Sequence, residues 1–200
     1  MSDSLQRQHA LSSFAFSTPV SDAASETPDL RIEHQPGFDY VNIRGGLSST
    51  DFATATTNVL GFRLPAEPNT LASDGAVTAF WLGPDEWLLR GPAGSELFVR
   101  MRSALHDTRS ACTAQNGGFE QFSLQGPAVF ELLSRASTLD FQHLLEQENA
   151  CAQSGFAKAN LLFEFTGSRQ STRLIVRRSF AEYVALWLRK AGGEYKADFA

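Results

Sequence analysis

The sequence predicts an α+β fold of two related β-α-β-β-α halves, with antiparallel sheets and helices packed on them. The first observation is a pair of apolar runs, 77–82 and 87–89, that meet across Gly83-Pro84-Asp85-Glu86 and lie in predicted strands at 77–82 and 86–90. Proline presets φ for a tight turn and its neighbours suit the flanking positions, so this stretch is predicted to be a β-hairpin. The second is a similar predicted hairpin later in the chain, with strands at 161–166 and 173–177.

The first half is predicted to contain, in order, a strand at 40–44, a helix at 52–60, the hairpin and a helix at 97–105. The strand shows alternation of apolar and polar residues, as a half-buried strand does. Cap candidates at 48–51 precede the first helix, and Gly61 is predicted to end it. Ser95 is predicted to cap the second helix, whose apolar residues share one face.

The second half follows the same order. A strand at 119–124, with Phe122 and Leu124 inward, precedes a helix that begins at Pro127. A mixed segment over 140–156 comes next, then the second hairpin. Ser179 and Glu182 have the spacing of a capping box, which predicts a final helix that ends at Gly192-Gly193.

These elements predict a single α+β domain over 29–192, with halves at 29–110 and 111–192 and a C-terminal tail at 193–200. Residues 1–28 offer little apolar surface and are predicted to be a flexible arm. Phe14 and Phe16 lie in this arm. They either fold back on their own domain or pack on another chain, and they are the candidate partner-interface residues.

Composition excludes several classes of function. The net charge is −5 and the 17 basic residues are scattered, so a nucleic-acid-binding face is not expected. No run approaches the ~20 apolar residues of a membrane span, and no secretory signal is apparent. Two distant cysteines fit a reducing compartment, so the expected location is the cytoplasm. The 16 phenylalanines are in excess and need a core or a partner to cover them.

No motif in the sequence announces an active site. The glycine-rich patterns for dinucleotides and phosphates are absent, as are a nucleophile elbow and histidines at metal-ligand spacing. Asp85 and Glu86 are adjacent, so their side chains point apart and are predicted to shape the turn. Cys112 and Cys151 are either small hydrophobes or, with a distant histidine, a nucleophile.

Three arginines also have two interpretations. Arg173, Arg177 and Arg178 either bind a carboxylate or a partner's acidic patch, or are solvated residues of a strand and the approach to a helix. The sequence therefore predicts no catalytic, cofactor-binding or metal-binding residues, which favours a subunit of a larger assembly over a self-sufficient catalyst.

Several short sequence segments, in order over about residues 30–191, resemble segments of the gamma subunits of heterotetrameric sarcosine oxidases. They are Val41-Asn42-Ile43-Arg44-Gly45, Leu60-Gly61, Leu64-Pro65, Trp81-Leu82-Gly83-Pro84-Asp85-Glu86-Trp87-Leu88-Leu89, Leu124-Gln125-Gly126-Pro127, Leu132-Leu133-Ser134, Leu139-Asp140, Cys151-Ala152-Gln153-Ser154, Arg178-Ser179-Phe180-Ala181-Glu182-Tyr183 and Trp187-Leu188.

The resemblance implies a noncatalytic gamma subunit that stabilises a complex with alpha, beta and delta subunits, chiefly by contact with alpha. Such a complex oxidises the N-methyl group of sarcosine to give glycine, transfers the one-carbon unit to tetrahydrofolate and forms hydrogen peroxide. FAD, FMN, NAD, zinc and tetrahydrofolate are then expected in the partner subunits. The implied fold is that of the folate-binding domain of aminomethyltransferases. Two alternatives stay open: an independent folate-binding module of that kind, and a scaffold for another amine dehydrogenase.

Overall fold

Two β-sheets packed face to face form the centre of the fold, with helices on their outer faces. The computed structural model describes Leu11 and residues 28–200. The strands are β1 (Arg31–His34), β2 (Phe38–Arg44), β3 (Leu71–Ser73), β4 (Thr78–Gly83), β5 (Glu86–Pro92), β6 (Ala111–Ala114), β7 (Phe119–Gln125), β8 (Cys151–Phe156), β9 (Ala159–Phe165), β10 (Ser171–Arg177) and β11 (Asp198–Phe199). The helices are α1 (Thr50–Leu60), α2 (Leu97–Ala104), α3 (Val129–Ser134), α4 (Phe141–Leu144) and α5 (Arg178–Gly192), and a 3₁₀ turn spans Gly193–Tyr195.

The predicted repeat is visible in the order of the strands. One sheet has the order β3-β4-β5-β2-β6, and the other has the order β8-β9-β10-β7-β1-β11. The hairpin β4-β5 thus occupies the same place in its sheet as β9-β10 does in the other. Neighbouring strands are antiparallel except for β1 and β11. The α+β fold class with two related halves is confirmed.

The two halves exchange their first strands. β1 comes before β2 in the chain, but it pairs with β7 in the six-stranded sheet. β6 comes before β7, but it pairs with β2 in the five-stranded sheet. Each sheet therefore contains one strand from the other half, a feature that the sequence analysis did not predict.

Three apolar clusters correspond to the layers. One lies between the five-stranded sheet and helices α1 and α2, and includes Val41, Ile43 and Trp87. A larger one lies between the six-stranded sheet and helices α3–α5. The third lies between the sheets, where Phe80 and Leu88 of one sheet face residues of the other. Every central strand is thus covered on both faces, which explains why five of the six residues in 77–82 are apolar.

The predicted hairpin is confirmed, and its two faces serve different clusters. Trp81 pairs with Trp87 across β4 and β5, and the turn lies at residues 83–86. Ala79 and Trp81 contribute to the cluster under the helices, whereas Phe80 and Leu82 contribute to the cluster between the sheets. The rings of the hairpin therefore fill two cores.

The helix caps agree with the sequence only in part. Ser49 caps α1, since its Oγ accepts from the Phe52 amide at 3.3 Å, and Gly61 ends the helix at φ 81°. The prediction that Ser95 caps α2 is wrong, because Glu96 takes the N-cap position with φ 55° and makes no side-chain cap bond. The predicted capping box at Ser179 is wrong too, because α5 begins at Arg178 directly after β10.

Ser49 and Ser95 offer a matched pair of substitutions. Ser49→Ala is expected to lower the free energy of unfolding by about 1 kcal/mol, because an amide of the first turn loses its partner. Ser95→Ala is expected to be neutral or slightly stabilising, because the Ser95 Oγ is buried without a hydrogen bond. Urea denaturation of both variants measures the difference, and equal losses would contradict the assignment of the caps.

The short strands were not assigned from the sequence. β1, β3, β6 and β11 are four residues long or shorter, so periodicity has too few positions to detect them. The predicted tail 193–200 differs from the structure for the same reason, since it forms the 3₁₀ turn and then β11 beside β1. β8 lies within the segment described as mixed.

Candidate functional site

A polar cluster, hereafter the Arg90 cluster, lies within the apolar layer between the two sheets. Its members are Thr78, Arg90, Gln121, Glu164 and Arg173, which come from strands of both sheets. Arg90 is 8% exposed and Glu164 is 6% exposed. Charges this deeply buried are found in proteins when they are paired and hydrogen-bonded.

Hydrogen bonds satisfy the buried arginine within the cluster. The guanidinium of Arg90 donates to both carboxylate oxygens of Glu164, to Gln121 Oε1 at 2.7 Å and to Thr78 Oγ1 at 3.0 Å. Arg173 donates to Glu164 Oε1 at 2.8 Å from its more exposed position. The members of the cluster therefore partner one another and link β4 and β5 to the opposite sheet.

Aromatic rings flank the same guanidinium. The Arg90 carbon Cζ lies 5.3 Å from the centroid of the Phe38 ring and 5.2 Å from that of Phe80, distances at which cation–π attraction operates. Phe80 is fully buried. The guanidinium is thus held by a carboxylate, a side-chain amide, a hydroxyl and two aromatic rings. These contacts connect the two sheets.

Tyr40 lies beside the cluster and has an unusual environment. Its side chain is buried, and burial raises the pKa of its phenol well above the ordinary value despite the nearby Arg90 charge. Its Oη is buried without a hydrogen-bond partner. The phenol is consequently neutral at every physiological pH, so it is unsuited to act as a base.

A small cavity opens next to this region. It measures about 180 Å³ and its lining includes Gln35, Phe38, Tyr40, Glu120 and Arg178. Sites for drug-sized ligands measure roughly 300–1,000 Å³, so this cavity suits only a few atoms or water. A wider groove of about 490 Å³ lies along α1, but Arg63 is the one ionisable residue in its lining. The ionisable residues in the lining of the small cavity are thus Tyr40, Glu120 and Arg178, whereas the groove has Arg63.

Both cysteines are protonated thiols at neutral pH. Burial raises the pKa of Cys112 to about 11 and that of Cys151 to about 12. The Cys151 Sγ donates to the carbonyl oxygen of Thr70 at 3.3 Å. A thiol is activated by a lowered pKa and a nearby base, so these surroundings favour the interpretation as small hydrophobes.

Asp85 and Glu86 lie at the turn between β4 and β5, as predicted. The Asp85 carbonyl accepts from the Gly45 amide at 3.0 Å. Glu86 does more than shape the turn, because its carboxylate accepts from Asn42 Nδ2 at 2.8 Å and pairs with Arg44. The hydrogen bond from Arg44 is the largest cause that lowers the pKa of Glu86.

The ion pair between Arg44 and Glu86 is expected to make the stability of the protein depend on pH. Glu86→Gln is expected to lower the free energy of unfolding at pH 7 by at most about 1 kcal/mol, because Arg44 is largely exposed. Since the folded-state pKa of Glu86 lies below the unfolded one, its contribution is present above the unfolded pKa and disappears as pH falls through the folded pKa. Urea midpoints of both proteins from pH 7 to pH 3 should therefore converge, and a constant gap would contradict the assignment.

The three arginines named from the sequence do not form one site. Arg173 joins the Arg90 cluster. Arg177 lies over the ring of Phe119, 4.6 Å from its centroid, and Arg178 begins α5. Arg90 and Glu164, which are separated by 74 residues, were not predicted as site residues from the sequence. The sequence did carry one signal, because Arg90 is a single charged residue on the same face of its strand as the apolar Leu88. Such a pattern predicts a buried ion pair, but it does not identify the residue of opposite charge.

The other site predictions involve the arm and possible metals. Phe14 and Phe16 lie outside the described residues, although Leu11 is buried in the cluster of the six-stranded sheet. Within Leu11 and residues 28–200, no group of three or more His, Cys, Asp or Glu side chains is placed to hold a metal ion. Among the same residues, no helix is long and apolar enough to cross a membrane.

Comparison with known proteins identifies relatives over most of the chain. The family model described as the sarcosine oxidase gamma subunit family matches residues 44–194. The chain is 30% identical over 159 residues to the sarcosine oxidase subunit gamma of Corynebacterium sp. (strain P-1), covering 79% of this chain and 77% of that protein. It is also 30% identical over 156 residues to the subunit gamma from Corynebacterium sp. (strain U-96), covering 78% and 74%.

Solved structures show the same fold. A chain of the heterotetrameric sarcosine oxidase from Corynebacterium sp. U-96, solved in complex with pyrrole 2-carboxylate, superposes with a TM-score of 0.83 at 23% identity, covering 97% of this chain and 98% of that one. The glycine cleavage system aminomethyltransferase T from Bartonella henselae gives a TM-score of 0.57 at 14% identity, covering 85% and 47%. The resemblance noted in the sequence is confirmed, and this chain belongs to the sarcosine oxidase gamma subunit family.

Proposed function

We propose that this chain is a noncatalytic subunit that stabilises a heterotetrameric sarcosine oxidase. The observation that carries the proposal is the Arg90 cluster, the main group of buried charges among the described residues. Its ions are paired with each other across the two sheets, so they support the fold and offer no acid or base to a substrate. Family membership supplies the assembly in which such a chain acts.

In this proposal the complex oxidises the N-methyl group of sarcosine, giving glycine, and reduces oxygen to hydrogen peroxide. The one-carbon unit passes to tetrahydrofolate. The alpha, beta and delta subunits are the partners, chiefly alpha, and the complex works in the cytoplasm.

The cofactors FAD, FMN, NAD, zinc and tetrahydrofolate are assigned to those partner subunits. The described residues do not fit a dinucleotide, since the cavity beside the Arg90 cluster measures about 180 Å³ and the groove of about 490 Å³ along α1 offers Arg63 as its one charged lining residue. They do not fit zinc either, because no described cluster supplies three ligands. This chain therefore contributes packing surface, and no step of the reaction is assigned to its residues.

Affinity purification tests the assembly. The tagged chain, isolated from its native cell, is expected to bring with it partner chains that carry flavin absorbance and oxidise sarcosine. Isolation of the chain alone, or with an amine dehydrogenase inactive on sarcosine, would contradict the proposal.

Calorimetric titration distinguishes the proposed subunit from an independent folate-binding module. Tetrahydrofolate added to the isolated chain is expected to give no binding heat. Stoichiometric binding would instead favour an independent folate-binding module, and the likeness to an aminomethyltransferase alone does not favour it because that likeness shows only the fold.

A further inference from the structure

One edge of the five-stranded sheet is open among the described residues. β6 pairs with β2 on one side, and no strand within residues 28–200 pairs with its other side. The Gln115 amide donates to the Tyr40 carbonyl at 2.8 Å, so the backbone of Gln115 faces β2 as in the hydrogen-bonded pairs of an antiparallel ladder, while the Tyr40 amide donates to Asn116 Oδ1 at 3.2 Å. Because such pairs alternate along an antiparallel ladder, the backbone N–H and C=O of Cys112 and Ala114 point away from β2.

The six-stranded sheet contains an equivalent strand, β1, in the same register. β1 lies beside β7 as β6 lies beside β2, and the Gln35 amide donates to the Gln121 carbonyl at 2.8 Å, the counterpart of the Gln115 bond. Counting from that bond, Ile32 corresponds to Cys112 and His34 corresponds to Ala114.

On β1 the outward backbone groups are occupied. β11 runs parallel to β1, and the Asp198 amide donates to the Leu30 carbonyl at 2.9 Å. The Ala200 amide donates to the Ile32 carbonyl at 3.0 Å, and the His34 amide donates to the Ala200 carbonyl at 3.0 Å. The corresponding groups on the other sheet are the carbonyls of Ser110 and Cys112 and the amide of Ala114, and they face the open edge.

We propose that this edge of β6 receives an extended segment of a partner subunit, which runs parallel to β6 as β11 runs parallel to β1. The inference rests on the proposed function, because it takes the partner from the assembled oxidase. The segment donates two amides to the carbonyls of Ser110 and Cys112 and accepts from the Ala114 amide. Its central residue is apolar, since Phe199 occupies the equivalent place beside Ile32 and packs against the neighbouring core.

The composition of β6 supports an edge that is built to be paired. Its residues are Ala111, Cys112, Thr113 and Ala114, with neither a charge nor a proline within the strand. Proteins commonly protect free edges with charged residues or proline, and β6 has neither. The addition of a partner's strand to an exposed sheet edge is an established mode of recognition. A second copy of this chain is a poorer occupant, because a two-fold axis between two β6 strands pairs them antiparallel rather than parallel.

Amide hydrogen exchange tests the site in the purified complex against the isolated chain. Peptides covering 109–116 are expected to exchange at least about tenfold more slowly in the complex. Equal exchange in both states would overturn the inference. Slow exchange in the isolated chain that increases with its concentration would overturn it as well, in favour of pairing between two copies.

A backbone substitution tests the same edge independently. Ala114→Pro removes an amide that does not bond β2, so the isolated chain is expected to keep its melting temperature within a few degrees, while its affinity for the partner subunits falls about tenfold. Ala114→Ser keeps the amide and serves as the control, with unchanged affinity. Full affinity of the proline variant would overturn the inference, whereas a wild-type chain that recruits no partner would instead refute the proposed function.

Discussion

Replacing Glu164 with alanine is expected to lower the free energy of unfolding by about 3–5 kcal/mol. The change leaves the buried Arg90 guanidinium with the neutral side chains of Gln121 and Thr78 as hydrogen-bond partners. Removing one member of a buried ion pair strands the other charge in a poorly solvating interior, and that desolvation is the main cost. Urea denaturation followed by circular dichroism measures the loss.

Two variants control this result. Arg173→Ala removes a donor to the same carboxylate from a position that is 38% exposed, so a loss below about 1 kcal/mol is expected. The double variant Arg90→Met with Glu164→Leu removes both buried charges and should recover most of the stability. A loss below about 1 kcal/mol for Glu164→Ala, or no recovery in the double variant, would contradict the structural assignment of the cluster.

Truncating the hairpin tryptophan should have an effect of similar size. Trp87→Ala is expected to lower the free energy of unfolding by about 3–5 kcal/mol, because Trp87 is fully buried and the cavity cannot close completely. The lost contacts include the Phe52 ring at 5.9 Å between centroids and the bond from the indole Nε1 to the Pro65 carbonyl at 2.8 Å.

Trp87→Phe separates the two contributions. It keeps most of the ring volume and loses the indole hydrogen bond, so a loss of roughly 1–3 kcal/mol is expected. Thermal or urea unfolding of both variants gives the comparison. If phenylalanine is as damaging as alanine, then the hydrogen bond rather than packing dominates at this position.

Local signals explain what could be predicted about the fold. The hairpin at 83–86 was predictable because its turn chemistry and its flanking apolar runs are contiguous in sequence. The Ser49 cap was predictable for the same reason. Ser95 misled because the neighbouring Glu96 adopts a left-handed conformation, which propensity alone does not anticipate.

The interior of the candidate site was not predictable from one sequence. Arg90 and Glu164 are separated by 74 residues, and their pairing follows from the way the sheets stack. The strand exchange depends likewise on distant pairings, such as Ile32 with Leu124, which no periodicity reveals. The resemblance carried more information about function than the titratable residues did, because several of its motifs are contiguous in sequence whereas Arg90 and Glu164 meet only in the fold.

The exchange of strands between the halves determines the order in which the two sheets can form during synthesis. β7 and β11, the strands beside β1, are synthesised about ninety residues or more after it. β2, by contrast, meets its hairpin partner β5 much sooner. The five-stranded sheet can therefore begin to form during translation, while β1 waits unpaired. A chain that ends at residue 110 lacks both strands that pair with β1, so β1 cannot take its native place in the six-stranded sheet until β7 has been made.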